Sequence, residues 1–86
     1  MITFRVTTHK NGKLQDMYDS VDYPTREQAI QAARYSAEYY TLVSGGEWQK
    51  TEDGAIRWWT DEEGNRCRRI YKVNNNQLNS NMKEVQ

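Results

Sequence analysis

The sequence lacks most of what would staple a chain, thread it through a membrane or mark it as a catalyst. Cys67 is the only cysteine, so no internal disulfide can form. With His9 the only histidine, a zinc site would need several carboxylates as well. No apolar run approaches the roughly 20 residues of a membrane span. Met1-Ile2-Thr3-Phe4-Arg5 carries no apolar signal-peptide segment, and a soluble cytoplasmic protein is expected. An excess of charge of one sign is also missing, since twelve basic and twelve acidic residues give a formal net charge of zero. That argues against a general polyanion binder and against a DNA mimic. Any charge-based function has to come from local segregation.

Catalytic signatures are absent too. There is no P-loop, no dinucleotide glycine fingerprint and no nucleophile elbow. His9 has neither an orienting partner nor a cleft in its local sequence and reads as an exposed turn residue. Cys67 reads as a small buried residue. Asp61-Glu62-Glu63 lacks the spaced ligands of a calcium loop and reads as an acidic turn. The expectation is no enzyme, no cofactor and no metal.

Apolar residues are scarce. They make up 36% of the 86 residues, with a mean hydropathy of −1.09. A single core is only marginally sufficient at this length, so three Trp, six Tyr and one Phe have to carry much of it. Each large apolar side chain contributes roughly 1.5–3 kcal/mol when fully buried. An oligomer or a partner surface could supply the rest.

What is present is one clear helix, from Thr25 to about Tyr40 or on to Val43, ended in either case by Gly45-Gly46. Thr25-Arg26-Glu27-Gln28 has the form of a capping box, and Pro24 lies just outside it. Ala29, Ile30, Ala33, Ser36, Ala37 and Tyr40 form one stripe, with Glu27, Gln31, Arg34 and Glu38 opposite. A stripe this rich in alanine allows close approach to a sheet. Tyr35 and Tyr39 lie off it and could extend a partner surface.

The rest of the chain reads as strands. Ile2, Phe4 and Val6 alternate with Thr3, Arg5 and Thr7. Asn11-Gly12 then suits a two-residue hairpin turn, which would set Lys10 against Lys13 and Val6 against Met17. The returning strand is expected from Lys13 to Val21, with Met17 and Val21 on the core face. Glu47 to Thr51 and Ala55 to Thr60 flank Glu52-Asp53-Gly54 as a second hairpin. Arg66 to Val73 is the last strand. The expected fold is α+β over residues 1–73: an antiparallel sheet of four to five strands (ββα, then ββ or βββ) with one helix packed on one face. Residues 74–86 are Asn/Gln-rich and read as a disordered polar tail.

Arg66, Arg68, Arg69 and Lys72 cluster on the last strand, and Arg57 lies on the strand before it. Period-2 geometry puts Arg57 and Trp59 on one face with Trp58 on the other. It also groups Arg66, Arg68 and Lys72 around Ile70, leaving Arg69 to point with Cys67 and Tyr71. Arginines beside exposed aromatics suit phosphate and base contacts and equally a protein interface. The bland alternative is a solvated face whose arginines pair with Asp61, Glu62 and Glu63.

From Glu27 to Asp61 the chain resembles very small phage-borne anti-CRISPR inhibitors of type I systems, in particular the type I-F-like ββαββ arrangement. The residues are Gln28-Ala29 at the helix start, Trp48, Glu52-Asp53-Gly54 and Arg57-Trp58. The chain departs from that pattern in Trp59, in the arginine-rich last strand and in its polar tail. The resemblance implies a non-enzymatic inhibitor that binds a host CRISPR surveillance complex and either blocks target DNA or provokes unproductive DNA binding. It implies Lys50, Arg57, Trp59, Arg66, Arg68 and Lys72 as the candidate partner-binding set that would carry the contact. Two other readings stand beside it: a nucleic-acid-binding accessory protein using the last hairpin, and a dimeric structural protein. The expected partner is thus a host protein or ribonucleoprotein complex, with direct nucleic acid possible, and the chain itself a monomer or homodimer.

Overall fold

The computed structural model of the chain describes residues 2–74. Five strands and one helix follow one another as β1 (Phe4–Lys10), β2 (Lys13–Asp19), α1 (Arg26–Ser44), β3 (Glu47–Thr51), β4 (Gly54–Thr60) and β5 (Arg66–Val73). They form one antiparallel sheet in the order β2-β1-β5-β4-β3. The α+β fold expected from the sequence is therefore the observed one. The last strand is the central one, so within the sheet the β1–β2 and β3–β4 hairpins are joined through β5. Of the expected polar tail, Asn74 is described and donates its backbone N–H to Thr3; the remainder lies outside the described residues.

Helix α1 packs on one face of the sheet. Ala29, Ala33 and Ala37 are fully buried against Phe4, Val6, Ala55, Tyr71 and Val73. Three methyl side chains at helical spacing let the backbone approach closely, and the bulk of the core comes from the strands. Thr25 caps the helix by accepting the N–H of Gln28 at 3.1 Å. Its hydroxyl also donates to Gln28 Oε1 at 3.3 Å. The glutamine thus meets the capping hydroxyl instead of reaching back to the Thr25 backbone, a departure from the expected box. The helix runs through Leu42 and Val43 to Ser44 and ends at Gly45, whose φ of 85° suits glycine.

Three expectations need correcting. Lys10 does pair with Lys13, but Val6 pairs with Tyr18, and Thr7 pairs with Met17. A register shift between Thr8 and His9 leaves Gln15 unpaired on β2, and one extra residue exchanges the faces of everything beyond it. Met17 therefore sits on the sheet face away from the helix, 53% exposed. Strand β2 ends at Asp19, and Val21 is exposed as well. There the Ser20 hydroxyl accepts the N–H of Phe4 at 2.9 Å, turning the chain toward α1. Finally, His9 lies within β1, half-buried between Leu14 and Arg68, and not in the turn.

The second hairpin is tied to the helix. Arg34 donates from Nε to the Gly54 carbonyl at 2.9 Å and from Nη2 to the Thr51 carbonyl at 2.6 Å. Gly54 has no room for a side chain, because a Cβ there would run into the Tyr71 carbonyl.

Candidate functional site

The β4–β5 hairpin carries the arginines and tryptophans, and its turn decides their electrostatics. Asp61 Oδ1 accepts the N–H groups of Glu63 and Asn65 at 3.0 and 2.8 Å, and Oδ2 accepts from Asn65 Nδ2 at 3.1 Å. Lys10 Nζ lies 3.3 Å from Asp61 and 3.9 Å from Glu63. These bonds, led by the Asn65 N–H, hold the Asp61 carboxyl down at about 2. Across the way, Asn11 Nδ2 donates to Asn65 Oδ1 at 2.7 Å, and Asn11 Oδ1 accepts the Arg66 N–H at 3.1 Å. The two hairpin turns are thereby locked side by side.

The acidic turn is thus engaged with its own backbone and with Lys10. Among the described residues, no arginine of β4 or β5 has a carboxylate within ion-pair distance. The alternative in which Asp61, Glu62 and Glu63 pair with these arginines is therefore not what the structure shows.

The sheet divides the six candidate residues between its faces. On the helix side, Arg57 is 3% exposed, and Nη2 donates to the Gly45 carbonyl at 2.7 Å. No basic residue occupies the last turn of α1, so this strand residue supplies the positive charge that a helix C-terminus favours. Its guanidinium stacks 4.3 Å from the Trp59 ring centroid, while burial pushes its pKa down. Arg69, its cross-strand partner, donates to Thr8 Oγ1 at 3.0 Å and lies over Trp59 and Tyr40 at 5.3 and 5.7 Å. Lys50 is on the same face, exposed on edge strand β3. Arg57 and Trp59 are therefore brought together, but as part of the packing beneath the helix end.

Arg66, Arg68 and Lys72 lie on the opposite face, which no described element covers. Lys72 Nζ is 3.9 Å from Asp53. The side chains of Arg66 and Arg68 have no hydrogen bond or ion pair with any described residue. Beside them stands Trp58, the cross-strand partner of Arg68 and 38% exposed. Together with His9 and Gly12 they line a shallow depression of about 180 Å³. A neighbouring groove of about 350 Å³ runs from Trp58 past Glu47 and Thr60. The next row of this open face, Met17, Thr7, Ile70 and Ile56 in strand order, is uncharged.

Sequence reasoning grouped the three β5 cations on one face but did not place Trp58, Met17 or Ile56 beside them. The alternation within β4 contained the signal for Trp58 and Ile56. Met17 was hidden by the bulge at Gln15, which no spacing rule announces. Among the described residues no three His, Cys, Asp or Glu side chains are grouped to hold a metal ion, and no described helix is long and apolar enough to cross a membrane. No protein-family model, no curated protein and no solved structure matches this chain.

Proposed function

We propose that the protein is a non-enzymatic inhibitor that acts by binding a host defence complex in the host cytoplasm and covering a surface that the complex needs for target DNA. A CRISPR surveillance complex is the partner that the resemblance over Glu27–Asp61 suggests. The observation that supports a binding role is the pair Arg66 and Arg68. Both are exposed cations beside Trp58 that the fold leaves without a counter-charge among the described residues. Arginine and tryptophan at such a position are the side chains that dominate interface energetics.

Pull-down with the tagged full chain from a lysate containing a type I surveillance complex, with and without nuclease, tests this. Capture under both conditions, lost in the Arg66→Glu/Arg68→Glu variant, is the expected result. Failure to capture the complex overturns the proposal. A second reading, direct binding of nucleic acid, is supported by Trp58 standing beside Arg68, since a ring next to a cation can stack a base and contact its phosphate. Its mark would be capture of nucleic acid alone, with affinity falling steeply as salt rises.

A further inference from the structure

We infer that the open face of the sheet docks an acidic and apolar segment of a partner protein, whose carboxylates meet Arg66 and Arg68 and whose apolar side chains cover Ile56, Ile70 and Met17. This rests on the binding role proposed above and names the chemistry of the partner. Three observations lead to it.

The first is the pattern of charge on the face. Central strand β5 presents Arg66, Arg68, Ile70 and Lys72 outward. The described acidic residues around this face stand at its margins: Asp19 bonded to Arg5 at 2.8 Å, Asp53 3.9 Å from Lys72 Nζ, and Glu47 on the edge strand. A second copy packed face to face would cross its own β5 near this one and set cation against cation. The face is complementary to an acidic occupant and not to itself.

The second is the row beside the arginines. Met17, Thr7, Ile70 and Ile56 lie across four neighbouring strands, a span of about 15 Å at the usual strand spacing. The row is uncharged, with the Thr7 hydroxyl standing between the apolar side chains of Met17, Ile70 and Ile56. A nucleic acid strand is held by rings on which successive bases stack, and this face offers one tryptophan among aliphatic side chains. Aliphatic groups are instead matched by the apolar side chains of a protein, and the chain's zero net charge fits a partner recognised only in part by charge.

The third is spacing. Arg66 and Arg68 are two residues apart on one strand, so their side chains leave the same face about 6.6 Å apart. Carboxylates two residues apart on an extended segment have the same repeat. Trp58, at the side of Arg68, supplies the aromatic anchor around which such contacts are desolvated.

The test uses the full chain labelled with nitrogen-15 and titrated with three probes: a soluble peptide alternating glutamate with leucine, the same peptide with lysine for glutamate, and a short oligothymidylate. Dilution of the free protein is followed in parallel. The glutamate peptide should shift the amide signals of Ile56, Trp58, Arg68 and Ile70 and leave those of Ala33 and Tyr71 in place. Arg66→Glu/Arg68→Glu should weaken binding roughly tenfold or more, whereas Lys50→Glu, on the other face, should not change it. Ala33 and Tyr71 signals report whether each variant is folded. Absence of these shifts, an equal response to the lysine peptide, or a response to oligothymidylate alone would overturn the inference. So would shifts of the same residues on dilution, because a second copy would then be the occupant. The inference stands or falls on this titration and the inhibitor reading on the pull-down, so the two can fail separately.

Discussion

Arg57 Nη2 donates to the carbonyl oxygen of Gly45 at 2.7 Å, so a residue of β4 closes the C-terminal end of α1. A buried cation without a carboxylate is ordinarily costly. Here the helix dipole and the Trp59 ring, 4.3 Å away, offset that cost. Replacing Arg57 by methionine removes both the attraction and the desolvation penalty while keeping most of the volume. Arg57→Met should therefore change stability by less than about 1 kcal/mol. Arg57→Ala, which also opens a cavity, should cost about 2–3 kcal/mol. Urea denaturation of the two variants measures the difference.

Gly54 and Gly64 make a matched pair. An alanine at Gly54 would collide with the Tyr71 backbone, whereas at Gly64 nothing lies within contact distance and only the φ of 85° resists. Gly64→Ala should cost about 1 kcal/mol. Gly54→Ala should cost roughly 3 kcal/mol or more, because β4 and β5 have to separate to admit the methyl group. Thermal melts of both variants check the ranking.

Arg34 bonds two carbonyls of the β3–β4 hairpin, and a neutral side chain of similar length would leave both without their donor. Arg34→Met should lower stability by about 2 kcal/mol. Amide hydrogen exchange should quicken first around Thr51 to Gly54, ahead of the rest of the sheet.

Asp61 links stability to acid. Its folded pKa, about 2, lies below the ordinary 3.8, so the folded state favours the ionised form. The stabilisation is complete above 3.8 and is lost as pH falls through about 2. Stability of the native chain should decline across that window, and the Asp61→Asn variant, having no proton to take up there, should show a shallower decline. Urea midpoints at successive pH values provide the readout.

The helix and the hairpins were legible in the sequence because their signals are local. Alanines at helical spacing, a threonine cap and paired glycines describe α1 almost to its last residue. Asn11-Gly12 and Asp53-Gly54 announce turns through the backbone angles and close approaches that those residues allow. The binding face was only half legible. Period-2 alternation put Arg66, Arg68 and Lys72 together, yet it could not reveal that Arg57 would be spent on the helix end or that Trp58, and not Trp59, would stand in the open.

The sequence by itself determined which segments are helix and strand, and which side chains leave each strand together, since both follow from periods of a few residues. Tertiary structure alone decided that β5 is central, that Gln15 bulges out and carries Met17 to the open face, and that Asp61 pairs with Lys10 while Arg66 and Arg68 meet no acid among the described residues. The reason is physical. The central place of β5 and the Lys10–Asp61 pair depend on contacts between residues some 50 or more positions apart, as does Asn11 with Arg66. The bulge is instead a choice of register within the β1–β2 pair. All of them rest on how whole faces pack and which charges that packing brings within reach.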